Sequence, residues 1–214
     1  MANSGIKVML VDDHAVVRMG FKLLLQGSDD IQVVAEAESG EEAIKRYPEI
    51  KPDVVVMDIS MPGIGGLEAV SRLLAKDPAA KILILSAHED SSHPKRLLKA
   101  GAVGYLSKRS AAEELMQAIR HVAAGKTFLD SKLAQVMAVQ QLTGGQSPVE
   151  VLSDREFEVF MLLAKGQSVA QIAEKLFLSP RTVGTHLYNV KQKLNAGNSA
   201  EITLIAMRNG LLDQ

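Results

Sequence analysis

The sequence predicts two folded parts: an α/β domain built on a parallel sheet, then a smaller domain made only of helices. Three observations carry this. Short β-rich apolar runs alternate with helix-like stretches over residues 5–125. A dense cluster of turn residues, Thr143-Gly-Gly-Gln-Ser-Pro148, then interrupts the pattern. From Ser153 onward only helical periodicity remains.

The elements follow in order. Apolar runs at 6–11, 32–35, 54–57, 82–85 and 103–106 read as strands, and helix-like stretches lie at 15–25, 41–46, 67–75, 95–100 and 112–124. Strands that are apolar throughout need both faces covered, which implies a parallel sheet between helical layers with right-handed crossovers. Past Gly125 no further strand is expected, and residues 126–147 read as a linker with a helix over 132–142. Residues 148–214 form the second domain. Ser153 with Glu156 is a capping box, and Gly166 closes that first helix. Ser168 opens a second helix running to about Phe177, and Ser179-Pro180 starts a third with a cap and a proline at its first position. A fourth covers 200–208. The serine and proline at 91–94 place the start of the earlier short helix near Pro94.

Composition excludes several classes. Of 214 residues 47% are hydrophobic and 23% charged, the profile of an ordinary water-soluble chain long enough for two modest cores. Apolar runs are too short to span a membrane, and Met1-Ala-Asn-Ser-Gly5 lacks the regions of a secretory signal, so a cytoplasmic location is expected. The absence of cysteine rules out disulfides and thiolate metal sites. Net charge is −1, and residues 148–214 balance seven basic against seven acidic side chains. Only Ser179 to Leu194, with Arg181, Lys191, Lys193 and no acid, makes a weak basic stripe.

Ligand sites in open parallel sheets sit at the carboxyl ends of the strands. Asp12 and Asp13 follow the first strand and Asp58 the third. Three carboxylates brought together repel and raise one another's proton affinity, which a hard divalent cation such as Mg²⁺ would relieve. The same aspartates could instead be helix caps of βα loops. Ser86 after the fourth strand and Lys108 after the fifth add a hydroxyl and a fixed positive charge, equipment suited to phosphoryl transfer.

Leu10-Val-Asp-Asp-His14, Val55-Val-Met-Asp-Ile-Ser-Met-Pro-Gly63, Leu85-Ser-Ala87 and Ala100-Gly-Ala-Val-Gly-Tyr-Leu-Ser-Lys108 resemble, in order and spacing, the receiver domains of two-component response regulators. The resemblance spans residues 5–125 and implies a flavodoxin-like (βα)5 fold of strand order 2-1-3-4-5. It assigns Asp58 as phosphoryl acceptor. Asp13, Asp58 and the carbonyl of Ser60 would ligate Mg²⁺ directly, with Asp12 acting through water. Lys108 and Ser86 would engage the phosphoryl oxygens, and Tyr105 would change rotamer as the switch. A sensor histidine kinase is the implied donor.

In the third C-terminal helix Val183, Leu187, Val190 and Leu194 recur at core-facing spacing, leaving Gly184, Thr185 and Tyr188 outward. Such a short polar helix suits a DNA major groove, though a merely solvated surface helix would look similar. Leu152-Ser-Asp-Arg-Glu156, Ile172-Ala-Glu-Lys-Leu176 and Leu178-Ser-Pro-Arg-Thr-Val183, with His186 and Lys193-Leu194, resemble the all-α, four-helix LuxR-type helix-turn-helix domain. That likeness makes Gly184, Thr185 and Tyr188 base-reading positions, with Thr182 and Asn189 beside them, and Arg181, Lys191 and Lys193 phosphate contacts. Gly184 departs from the usual lysine or polar residue. Ile202, Ile205 and Ala206 are expected to form a dimer seam or else belong to the core. Together the two domains resemble the NarL/FixJ class, and Val11 to Gly20 with Pro94 to Gly101 resemble its GacA/UvrY subgroup, which implies a hybrid sensor kinase. The expected activity is phosphorylation-dependent homodimerisation and promoter binding, with no enzymatic turnover beyond phosphotransfer and self-dephosphorylation. A phosphatase of the haloacid dehalogenase type would need a second acid where Ser60 stands. A pure interaction module would leave the helix-turn-helix pattern unexplained. A nucleotide-binding α/β protein would need a glycine-rich loop after the first strand.

Overall fold

A computed structural model describes residues 5–86, 92–110, 112–131, 134, 135, 138, 148–209, 211 and 212. These fall into two compact units that part between Ala134 and Gln135, with Ser92 grouped with the second. Among the described residues no helix is long and apolar enough to cross a membrane.

In the first unit β1 (Ile6–Val11), β2 (Ile31–Ala37), β3 (Val54–Asp58), β4 (Ile82–Ser86), β5 (Gly104–Ser107) and β6 (Phe128–Leu129) form one sheet of order β2-β1-β3-β4-β5-β6. Every pairing is parallel. The helices α1 (Ala15–Gln26), α2 (Gly40–Ile50), α3 (Gly65–Lys76), α4 (Ser92–Lys99) and α5 (Ala112–Ala123) make the crossovers. The flavodoxin-like order is present, with one addition: β6 extends the sheet past Gly125, where no strand was expected. Two residues are too few to show a period, and its pairing comes from Phe128 N–H donating to the Val103 carbonyl.

Alternation divides the core. Val8, Leu10, Val54, Val56, Leu83, Leu85 and Leu106 pack with Leu25 of α1 and Leu115, Ala118, Ile119 and Val122 of α5. Their neighbours Met9, Val11, Val55, Met57, Ile82, Ile84 and Tyr105 are equally buried on the opposite face. This accounts for strands without a polar side.

Two helices differ from expectation through proline. Helix α2 continues through Pro48 to Ile50 and ends at Lys51, in the left-handed region. Proline this late removes one bond of the last turn, and Tyr47 anchors that turn by donating to Asp77 Oδ2 at 2.8 Å. Helix α4 begins at Ser92, so Pro94 lies in its first turn, where N–H groups lack partners inside a helix anyway. The linker helix expected over 132–142 lies largely outside the described residues.

From residue 148 the second unit holds a 3-10 turn, Pro148–Val151, followed by α6 (Asp154–Ala164), α7 (Val169–Leu176), α8 (Pro180–Leu194) and α9 (Ser199–Arg208). Helices this short depend on their ends. Ser153 with Glu156 and Ser168 with Gln171 each complete a capping box. Ser179 and Asn198 cap α8 and α9 through the N–H groups of Thr182 and Glu201. The core centres on Phe157 and Phe160, ring centroids 6.0 Å apart, with Ile172, Val183, Val190, Ile202 and Ala206.

Candidate functional site

The sheet brings the strand-end residues together. Asp58 is the last residue of β3 and stands opposite Leu85 in β4, with Ser86 next along that strand. Ser86 in turn faces Ser107 of β5, and Lys108 follows, its N–H donating to the Ser86 carbonyl at 2.8 Å. Asp12 and Asp13 follow β1, the neighbour of β3.

Charge is buried here. Asp58 is 1% exposed, Asp12 4% and Ser86 fully enclosed. Lys108 Nζ donates to Asp12 Oδ2 at 2.6 Å and lies 2.8 Å from Asp58 Oδ2, bridging both carboxylates. The second contact is an ion pair rather than an aligned hydrogen bond, since Asp58 Oδ2 has no hydrogen-bond partner. Burial raises the proton affinity of Asp58; Lys108 and the Ser60 N–H, which donates to Oδ1 at 3.0 Å, only partly offset it. For Lys108 burial acts downward, but the close contacts and charges of Asp12 and Asp58 outweigh it and the ammonium is strengthened.

Ligand atoms of Asp12, Asp13, His14 and Asp58 lie within 4.8 Å of one another, a cluster that could hold a metal ion. The donor set fits a hard cation: carboxylate oxygens dominate, and Asp13 Oδ1 and Asp58 Oδ2 are buried without hydrogen-bond partners. His14 was not singled out from sequence. Its N–H donates to Asp12 Oδ1 at 2.8 Å and its Nδ1 sits 2.9 Å from Asp13 Oδ1. Ser60 lies beside Asp58 and is exposed. Tyr105 is buried on β5.

Gly66 is a further residue that sequence reading missed. A Cβ there would lie 2.5 Å from both the Asp58 carbonyl oxygen and Ile59 Cα. Its N–H donates to the Ile59 carbonyl at 3.3 Å, so the head of α3 is drawn against the acceptor strand.

In the second unit α8 exposes Arg181, Thr182, Thr185, Gln192 and Lys193, with Tyr188 64% exposed. Gly184, Asn189 and Lys191 are half-buried. Thr185 Oγ1 donates to the Arg181 carbonyl, and Thr182 Oγ1 is hydrogen-bonded to Ser179 Oγ. One expectation changes. Lys193 Nζ pairs with the buried Glu156 at 2.6 Å, so it ties α8 to α6 rather than standing ready for a phosphate. Ile202 and Ala206 are fully buried in the core, and the half-buried Ile205 packs against it. The apolar side chains that α9 does expose are Leu204 and Met207.

Residues 8–120 match the response regulator receiver domain, and residues 150–206 match the bacterial regulatory proteins of the luxR family. The chain belongs to the response regulator family. Response regulator GacA of Pseudomonas syringae pv. syringae is 43% identical over 210 residues, covering 97% of this chain and 98% of that one. Response regulator UvrY of Escherichia coli K12 is 43% identical over 208 residues, covering 96% and 95%. A solved LuxR-family two-component response regulator from Aurantimonas sp. SI85-9A1 aligns with TM-score 0.63 at 41% identity, covering 65% of this chain and 99% of that one. This response regulator thus joins a receiver to a LuxR-type DNA-binding domain in a two-component system, and its relatives are of the NarL/FixJ type.

Proposed function

We propose that Asp58 takes a phosphoryl group from a histidine kinase and that this modification promotes dimerisation and promoter binding. One observation carries the reading: a buried carboxylate at the end of a central strand, bridged by an ammonium to a second acid. In the transfer an Asp58 oxygen bonds to phosphorus as the kinase P–N bond breaks and the imidazole leaves. Lys108 neutralises charge on the phosphoryl oxygens, and Ser86 supplies a hydroxyl to the same group. Mg²⁺, held by Asp13, Asp58 and the Ser60 carbonyl with Asp12 acting through water, would stabilise negative charge on those oxygens. Tyr105, two strands from Asp58 on β5, answers the new contacts as the switch residue. External substrates are not turned over; the chemistry is stoichiometric and ends in self-dephosphorylation.

An apolar stripe on α1, formed by the exposed Val16, Met19 and Leu23, begins just after the acid pair and suits a kinase surface. The likeness to GacA and UvrY supports a hybrid sensor kinase as donor and a cytoplasmic setting. On α8, Arg181 and Lys191 serve phosphates while Thr182, Thr185, Tyr188 and Asn189 reach toward bases. Leu204 and Met207 are the apolar pair available for a dimer contact.

The test is capture of genomic fragments by purified protein with Mg²⁺, with and without a small-molecule phosphodonor. Sites enriched only with donor, and lost in Asp58→Ala, are expected. Equal enrichment in both samples would remove the phosphoryl switch, and enrichment in neither would remove the DNA reading.

A further inference from the structure

Helix α1 packs Phe21, Leu24 and Leu25 against the core, yet its first two turns bury an arginine and expose apolar side chains. Val16, Met19 and Leu23 face solvent, while Arg18 is only 7% exposed. Burying a guanidinium is costly unless its donors find acceptors, and an apolar side chain would have filled the same space. The partners of Arg18 explain its presence. Nη1 donates to the main-chain carbonyl of Asp12 at 2.6 Å, and Nη2 donates to Glu38 Oε1 at 2.6 Å. Nε lies 3.7 Å from Glu36 Oε2. The Asp12 carbonyl belongs to the peptide linking Asp12 to Asp13, so the guanidinium grips the joint between the two acids. From the other side the Asp12 N–H donates to the Ala37 carbonyl at 3.2 Å. The outer end is anchored in turn. Lys22 pairs with Glu36 at 2.6 Å, and Arg46 of α2 donates to the Glu36 carbonyl and to Glu42. Asp13 Oδ1 is buried, and its near contact, His14 Nδ1 at 2.9 Å, stands on the same stretch of chain, so its aim depends on how that main chain is held.

We infer that Arg18 is a positioning residue that holds the Asp12–Asp13 peptide so both carboxylates face Asp58 before a cation arrives. This rests on the reading of the acid cluster as a divalent-cation site. A ligand pair oriented in advance loses less freedom on binding, and outer contacts of this kind govern affinity without touching the ion.

The experiment uses the full chain with MgCl₂ alone and reads two quantities. One is the Mg²⁺ dissociation constant by titration calorimetry; the other is the rise in thermal midpoint at a fixed Mg²⁺ concentration. Arg18→Met is expected to weaken Mg²⁺ by about tenfold, with Arg18→Lys recovering part of the loss. Glu38→Gln, at the exposed outer end, should weaken it by about two- to threefold. The Mg²⁺-induced rise in midpoint should shrink in the same order. A packing role would lower the Mg²⁺-free midpoint of Arg18→Met and leave every dissociation constant at the wild-type value, which overturns the inference. Should Arg18→Met fail to fold, Glu38→Gln decides alone. Asp13→Asn separates the two claims. If the wild type gains nothing from Mg²⁺, or Asp13→Asn binds equally well, the cation site falls and the inference with it. If the wild type binds and Asp13→Asn does not, while the Arg18 and Glu38 variants match wild type, only the role of Arg18 falls.

Discussion

The acid pocket of the receiver and the exposed face of α8 are built on opposite physical plans. In the receiver, side chains from four strand ends converge on one small volume, and Asp12, Asp58 and Ser86 are withdrawn from water. On α8 the residues come from one stretch of sequence, share one helix, and keep Arg181, Thr185 and Tyr188 in solvent. Low dielectric magnifies every unpaired charge in the first region, whereas water screens each contribution in the second. A single substitution should therefore be severe in the receiver and graded in the helix.

The sharpest break of that contrast is Lys108→Met. It leaves two buried carboxylates without their shared cation and should cost about 3 kcal/mol in urea unfolding. Burial already raises the proton affinity of Asp58, and loss of Lys108 raises it further. A carboxyl with a raised folded pKa binds more protons folded than unfolded, so stability falls as pH rises through that pKa. The deficit should thus be larger at about pH 8 than at about pH 5, and a pH-independent deficit would show that the pair is not the cause. Gly66→Ala comes next, at about 2 kcal/mol, because a methyl 2.5 Å from the Asp58 carbonyl must push the strand end aside. Phosphorylation from a small donor, followed by intact mass, should slow markedly, and a wild-type rate would mean that α3 simply backs away.

The second unit offers smaller effects. Glu156→Gln should lower its stability by about 1 kcal/mol, since the side chain closes a capping box and pairs with Lys193. For Glu156 burial acts upward, but Lys193 and the Ser153 bonds outweigh it, holding the carboxyl below its usual range. With a depressed folded pKa, its contribution is present above the ordinary glutamate value and lost as pH falls through the folded one. The gap between wild type and Glu156→Gln should close in acid; a constant gap would assign the loss to packing. Smallest is Gly184→Ala. A Cβ there meets nothing within 4 Å, so helix propensity should add about 0.5–1 kcal/mol. Operator affinity should stay within about threefold of wild type on this reading. A much larger loss would mean the main chain at Gly184 touches DNA directly.

The strands and their terminal residues were legible because chemistry and periodicity coincided there: Asp58, Ser86 and Lys108 each sit where an apolar run ends. Arg18 was not. In an amphipathic stretch a lone arginine reads as the solvent side, and only the fold shows Val16 and Met19 outward with Arg18 turned in. Gly66 matters through a contact with main chain, which no residue type announces. Lys193 looked like a phosphate contact because its partner Glu156 lies thirty-seven residues away in another helix. Ile202, Ile205 and Ala206 had the spacing of a seam, but in so small a domain the same stripe was needed for the core.

Strand β5 is supported unevenly along its length. Strand β4 runs beside Gly104 through Ser107, but β6 lies only beside Gly104 and Tyr105. Mechanically it is a beam clamped on two sides at its root and on one side at its tip, and the tip leads straight into Lys108. A pull on that ammonium should deflect Leu106 and Ser107 first and be arrested at Tyr105, whose carbonyl is held by the Asp130 N–H at 3.1 Å. Stiffness thus steps up within a single strand, placing the fulcrum of the lever at the buried tyrosine.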